Sequence, residues 1–260
     1  MIKSSVERLL QTARSQIGYL EKATNSKLND KTSNAGSNNF TKYAADLDRL
    51  GVYNSRKNGY AWCDVFVDWC FITTFGLDEA LKMINQTKGD CGAGCHYSAQ
   101  YYKKAGKFYK SNPQSGDQIF FKDSSGDIVH TGIVEKVQNS RVYTIEGNTS
   151  SKSGVVANGG SVESKSYVLN YSRIAGYGRP NWEEYDMDVN RFKELWLEMR
   201  ESLKDNDASN YSKEAREWAT STGLIQGSNN EEFNGMWEDI LTREQLVTIL
   251  YRFAKKIGQV

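Results

Sequence analysis

From Gln118 to Gly178 the chain keeps returning to short β-branched and aromatic runs, "QIFF", "DIVHTGIVEKV", "RVYTIEGN" and "SYVLNYSRIAGYG", separated by polar turns. Such runs read as strands. After Pro180 the period changes: Phe192, Leu195, Trp196, Met199 and Leu203 recur at the spacing of an amphipathic helix. One chain thus carries a strand-rich part and a helical part in series. The expected organisation is an α+β domain over 1–182, an amphipathic helical connector over 183–208 and a small helical module over 209–260. In that module a helix over Ser212–Ser221 stops before Gly223. Another begins at Thr242, whose partner three residues on is Gln245, a capping-box pattern. Leu246, Ile249, Leu250, Phe253 and Ile257 form the apolar stripe of that last helix.

With 260 residues, 38% of them hydrophobic, there is enough material for one good core and a smaller appendage. The net charge of +1 gives no overall field that would hold nucleic acid or an anionic membrane, so nucleic acid is not an expected partner. The opening "MIKSSVERLLQTARSQIGYLEK" lacks the apolar run of a signal peptide, and no later stretch is apolar for long enough to span a bilayer. The expectation is a protein made in the cytoplasm.

Chemistry is concentrated in "GYAWCDVFVDWCF", where Cys63, Phe66, Val67, Cys70 and Phe71 share one face of a helix that starts at or just before Cys63. A thiol at a helix N-terminus feels the positive end of the peptide dipoles, which favours the nucleophilic thiolate. Asp64 works weakly against this, because a neighbouring carboxylate raises a thiol's pKa. Cys70, two turns further along the same inward face, reads as a space-filler. The two sulfurs cannot pair: seven helical residues separate their Cα atoms by roughly 10 Å, beyond the reach of a disulfide. The alternative for Cys63 is the same bland one, a buried cysteine kept for packing.

A thiolate nucleophile needs a base, and the chain has two histidines. His130 lies in the run that reads as the first strand of a hairpin. If Gln138, Asn139 and Ser140 form its loop, His130 faces Asn148, with Glu146 beside it on the same side. A loop of even length turns Glu146 to the other face. The odd register supplies an orienting group for the imidazole, as triad logic requires. Read blandly, the same residues are a hairpin with a satisfied histidine and a solvated glutamate. The other histidine, His96, follows Cys91 and Cys95, but no second Cys/His pair lies downstream to complete a tetrahedral zinc site. A loop entering a helix that carries Tyr97, Tyr101 and Tyr102 is the plainer account. No metal and no cofactor are expected.

Taken in order, "AWCDVFVDW", "GDQIFF", "HTGIVEKV" and "TIEGN" resemble the CHAP family, cysteine/histidine-dependent amidohydrolases and peptidases that cut bacterial peptidoglycan. "GYLEK" and "NNFTKY" resemble the N-terminal part of CHAP amidases from phage and prophage lysins. The resemblance covers about residues 5 to 182. It implies a papain-like fold, with the cysteine helix packed on an antiparallel sheet. It also implies Cys63 as nucleophile, His130 as general base and acid, and Glu146 with Asn148 as orienting groups. Some family members bind calcium through an acidic loop before the cysteine; here "YNSRKNGYAW" has no carboxylate, so no calcium is expected there.

Residues 211–253 resemble a single S-layer homology repeat, in "EAREWATSTGLIQG" and "WEDILTREQLVTILYRF". The triplet Thr242, Arg243, Glu244 matches that family's signature, although Gln245 stands where alanine is usual. Such repeats usually come as three copies and anchor proteins to secondary polymers of Gram-positive walls. Arg243 is the candidate contact, since a guanidinium suits anionic groups. The module reads equally as one that packs or pairs copies of the chain into a homo-oligomer. The reading as a whole is an endolysin that cleaves an amide of peptidoglycan, either the N-acetylmuramoyl-L-alanine bond or a cross-bridge, reaching the wall through a holin-type membrane lesion. The alternatives are a non-catalytic wall-binding protein with a papain-like domain and a cytosolic thiol peptidase.

Overall fold

A computed structural model gives the architecture and describes residues 4–89, 92–182, 189–202, 208–226, 235, 237 and 241–260. The chain forms two compact units, Met1–Asp186 and Met187–Val260.

In the first unit the helices come first: α1 (Ser5–Ser15), α2 (Lys42–Leu50), α3 (Cys63–Phe75), α4 (Leu77–Met83) and α5 (Cys95–Lys104). The strands follow: β1 (Phe108–Tyr109), β2 (Gln118–Lys122), β3 (Ile128–Gln138), β4 (Arg141–Thr149), β5 (Ser161–Val168) and β6 (Ile174–Gly178). They form one antiparallel sheet in the order β1-β6-β2-β3-β4-β5. The class is α+β, as the change of hydrophobic period implies. The last β-like run of the sequence divides into β5 and β6 around a turn.

Helix α3 is the centre of this unit. It meets α1, α2, α4, α5, β3 and β4, and so it is buried on every side rather than on the single face its apolar spacing marks. Even Asp64 and Asp68 are fully buried. Buried polar groups need partners, and both aspartates have them. Asp68 accepts from the Tyr53 hydroxyl at 2.8 Å and from Gln86 Nε2 at 2.9 Å; Asp64 is bonded to the Ser98 hydroxyl at 2.9 Å and to Gln118 Nε2 at 3.0 Å. Alternate residues of the sheet feed two cores. Phe120, Ile133 and Ile145 join the main one with α3, whereas Phe121, Val134, Val142 and Tyr167 form a second.

The β3–β4 hairpin corrects one expectation and keeps its consequence. Its loop is the two-residue Asn139-Ser140, both with positive φ, which suits the right-handed twist of paired strands. Near the loop, Val137 therefore pairs with Val142, one step away from the expected register. A bulge at Glu135 then adds a residue on β3, so Val134 meets Thr144 and Ile133 meets Ile145. The even loop is cancelled by the bulge, and the glutamate returns to the face of the histidine.

The second unit contains α6 (Val189–Ser202), a 3₁₀ turn (Asn210–Ser212), α7 (Lys213–Ser221) and α8 (Arg243–Lys256). Leu203 of the connector stripe lies outside the described residues. The capping box is present: Gln245 N–H donates to Thr242 Oγ1 at 3.2 Å, and Thr242 N–H to Gln245 Oε1 at 2.8 Å. Among the described residues the apolar stripes are only partly covered, with Leu195, Trp196 and Ile249 half-buried. Phe192, Met199, Leu246, Leu250, Phe253 and Ile257 are exposed, and among the described residues of this unit only Leu224 is buried. Among the described residues of the chain, no helix is long and apolar enough to cross a membrane.

Candidate active site

Cys63 is the first residue of α3, and the residue before it is pinned from two sides. The Trp62 indole is buried and donates through Nε1 to Glu21 Oε2 at 2.8 Å. Gly147 of β4 supplies the other side, where a Cβ would come within 2.5 Å of Phe66 Cβ and 2.9 Å of Trp62 Cζ3. Only glycine lets the strand lie so close to the helix start. Cys63 itself is only 6% exposed. The crossing of β4 and the approach of α5 close the helix start.

His130 sits where β3 leaves its regular pairing with β2: Phe121 pairs with His130, but Lys122 already pairs with Ile128. The imidazole is fully buried, stacks on Phe121, and places Nε2 2.9 Å from Glu146 Oε2. Gly132 makes room for this, since a Cβ there would stand 2.5 Å from Glu146 Cγ. The carboxylate is held at both oxygens: Thr144 donates to Oε1 at 2.6 Å and the Tyr167 hydroxyl to Oε2 at 3.2 Å. With its Nε2 proton directed to Glu146, the ring leaves Nδ1 for another partner. Nδ1 is buried without a nitrogen or oxygen partner, and the neighbour that remains is the Cys63 thiol.

Electrostatics favour separated charge between these two. The Cys63 thiol is held well below its ordinary value, first by a hydrogen bond with Cys95. Burial opposes this, and the hydrogen bond and charge of His130 and the Asp64 backbone N–H reinforce it. For His130 burial acts to lower the pKa, but its hydrogen bonds and charge interactions with Cys63 and Glu146 outweigh it and push the value up to about 9. Asp64 does not act as the adverse charge expected of it. Burial, then Asp68 and Cys63, raise its pKa well above the carboxylate range, which favours the neutral acid. Both shifts favour a thiolate–imidazolium pair over the neutral one.

Of the other residues singled out by sequence, Asn148 is buried with φ of 53° and bonded elsewhere. Its Oδ1 accepts from Gly160 N–H at 3.4 Å, and its Nδ2 has no partner. It sits at the irregularity between Glu146 and Thr149 in the β4–β5 pairing rather than on the imidazole. His96 is exposed and rests on Tyr97 with ring centroids 3.9 Å apart. Cys91 lies outside the described residues, while Cys95 turns to Cys63. Among the described residues no group of three or more His, Cys, Asp or Glu could hold a metal ion. Arg243 is exposed at the first position of α8, in the second unit.

Four participants were not recognised from sequence. Thr144 precedes Glu146 by two residues and so shares its face, a signal that period-two reasoning could have used. Glu21 stood in a quoted motif without a role. Cys95 was weighed only as a zinc ligand, and Tyr167 comes from β5, whose register no local pattern reveals.

A cysteine at a helix start, a histidine on the neighbouring strand and a carboxylate behind it thus stand in line. Residues 55–148 match the CHAP domain family. The match spans Cys63, His130 and Glu146, and helices on a six-stranded antiparallel sheet are the papain-like architecture of a CHAP domain. CHAP domains are generally cysteine-dependent amidases or peptidases of peptidoglycan. No curated protein matches the chain. Among solved structures, "The crystal structure of Ly7917" is similar at 14% identity and a TM-score of 0.37, covering 69% of this chain and 63% of that one. "The crystal structure of Ly7917 with the hydrolyzing product of MDP" is similar at 14% identity and a TM-score of 0.39, covering 67% and 62%. The chain thus spans less than two thirds of the length of either.

Proposed function

We propose that the protein is a peptidoglycan hydrolase that cleaves an amide bond of the Gram-positive wall with Cys63 as nucleophile. The observation that carries this reading is the continuous line from Cys63 through His130 to Glu146. The Cys63 thiolate attacks the amide carbonyl carbon, and a tetrahedral intermediate forms. His130 gives its Nδ1 proton to the leaving nitrogen as the C–N bond breaks, which leaves a thioester. Water, deprotonated by His130, then releases the acid and restores the thiolate. Glu146 orients the ring and stabilises its cationic form without taking its proton. Asn148 shapes the β4–β5 edge beside that carboxylate.

The muramoyl-alanine amide and the cross-bridge amide pass through the same kind of intermediate, so either bond suits this site. The finer reading is an endolysin, in which the second unit works as a single S-layer-homology-like module for wall residence or for pairing copies of the chain. Exposed Arg243 would contact an anionic secondary wall polymer. Purified Gram-positive walls provide the test. Cys63→Ala should fold as the wild type and leave the walls turbid; clearing at the wild-type rate would refute the nucleophile. Mass analysis of the released fragments identifies the bond. Arg243→Ala should pellet less with walls at unchanged catalytic rate, and unchanged pelleting removes the polymer contact.

A further inference from the structure

Cys63 and Cys95 occupy equivalent places, each the first residue of its helix, and the two helices pack against each other. Each thiol is the largest influence on the other's protonation, which puts the two within direct range of one another. Cys95 Sγ also lies 3.7 Å from the Ile128 carbonyl, which holds the second thiol beside the strand that carries His130. Each cysteine keeps 6% of its surface exposed, whereas Cys70, two turns along α3, has none. The hydrolysis described above uses Cys63 and leaves Cys95 without a chemical task.

We propose that Cys63 and Cys95 are a reversible oxidation site, closed to a disulfide by peroxide and reopened by a small thiol. This rests on the reading of Cys63 as the reactive thiolate. The Cys63 thiolate attacks one peroxide oxygen. The O–O bond breaks, and with a proton from His130 one water leaves and Cys63 becomes the sulfenic acid. The Cys95 thiol, losing its proton to the site, attacks that sulfur; the S–S bond forms, and the hydroxyl departs with a proton as a second water. Two thiols are oxidised and one peroxide is reduced to two waters. Two equivalents of a monothiol, or one dithiol, reverse the bridge.

Closure asks little of the fold. The two thiols already interact, and a disulfide brings the sulfurs to about 2.05 Å. The N–H groups of a helix's first residues make no bonds within the helix, so its start can shift without breaking the ladder behind it. A sulfenic acid with no resolving thiol proceeds to the irreversible sulfinic acid. Cys95 therefore protects the nucleophile and silences it in the same step.

The full-length reduced protein is treated with hydrogen peroxide, and half is then given dithiothreitol. A non-reducing digest of the treated protein should contain the Cys63 and Cys95 peptides joined. Wild type should regain more than about half of its wall-clearing rate with dithiothreitol, while Cys95→Ala and Cys95→Ser, each compared with its own untreated rate, should regain less than about a tenth. Dimedone should label Cys63 in Cys95→Ala and not in wild type. Absence of the joined peptide, a bridge to Cys91 in its place, or recovery in Cys95→Ala equal to wild type would overturn the proposal. The peptide map does not depend on wall clearing. A mapped bridge in a protein whose Cys63→Ala variant still clears walls would sink Cys63 as the hydrolytic nucleophile and leave the oxidation site standing.

Discussion

Helices α3 and α8 are nearly equal in length, at 13 and 14 residues, and they are held in opposite ways. Helix α3 has no side-chain cap at its start and buries nearly every residue, two aspartates included. Helix α8 begins with a complete capping box and buries none. Tertiary packing decides α3, and local chemistry decides α8. A helix held by its neighbours can place a thiol between a strand and a second helix and keep water from it. One held by its own cap is free to present its apolar side to something else. The proposed reactivity sits on the first kind and the proposed contact on the second.

The largest expected effect tests whether that division is real. Cys63→Ala and His130→Ala should each lower wall hydrolysis by at least ~1,000-fold, as removal of a nucleophile or its base does elsewhere, with little change in the melting of the first unit. A chain ending at Asp186 should retain the chemistry. If the truncated chain melts normally but cannot hydrolyse soluble wall fragments, the second unit takes part in the reaction and the contrast between the two helices breaks.

Glu146→Gln comes next, with an expected loss of about 10- to 100-fold. The sign of its pH effect follows from the shifts in the site. Cys63 is depressed and His130 raised to about 9, so the active pair exists from the acid side up to that pH and is lost as the imidazolium deprotonates above it. Glu146 supports the charged ring, so the amide should move the descending limb of the pH–rate profile to lower pH. A profile that loses height with both limbs in place would mean that Glu146 is structural. His96→Ala, altering an exposed ring that rests on Tyr97, should leave the profile alone.

How far the sequence discloses this site depends on where the information lies. The start of α3 and the strand around His130 are legible because burial writes apolar residues at the helical and the two-fold period. The pairing of His130 with Glu146 is legible only in part. Asn139 and Ser140 adopt positive φ in a two-residue loop, and the bulge at Glu135 offsets it; neither carries a glycine to announce itself. The expected face is right because two departures from the expected hairpin cancel. Tyr167 and Cys95 reach the site through tertiary packing of β5 and α5, and no local period encodes that. In the second unit the reverse holds: Thr242 and Gln245 can be read directly, because a cap is a contact between residues three apart.

Burial also predicts where a conservative deletion hurts. Asp68→Ala removes the acceptor of two buried hydrogen bonds, from Tyr53 and Gln86, and should destabilise the first unit by about 2–3 kcal/mol. Phe253→Ala in α8 truncates a side chain that is 41% exposed, and should cost well under ~1 kcal/mol in the isolated chain. Denaturant melts followed by tryptophan fluorescence measure both. A larger cost for Phe253→Ala that grows with protein concentration would show that copies of the chain cover the α8 face, which is the homo-oligomer reading.

The most local effect concerns a single cap. Thr242→Ala removes the side-chain oxygen that accepts from Gln245 N–H and leaves Gln245 to cap alone. The expected cost is about 1 kcal/mol, confined to α8, because no residue of that helix is fully buried to compensate for a lost cap. Amide exchange at the first turn of α8 should accelerate about fivefold, while exchange in α3 stays unchanged, since α3 never depended on a cap. Asparagine at the same position should restore protection, because its side-chain oxygen can accept the same bond. If Thr242→Ala instead leaves α8 exchange untouched, the helix is held by a surface that covers it in solution. The two helices would then differ only in which chain supplies their packing.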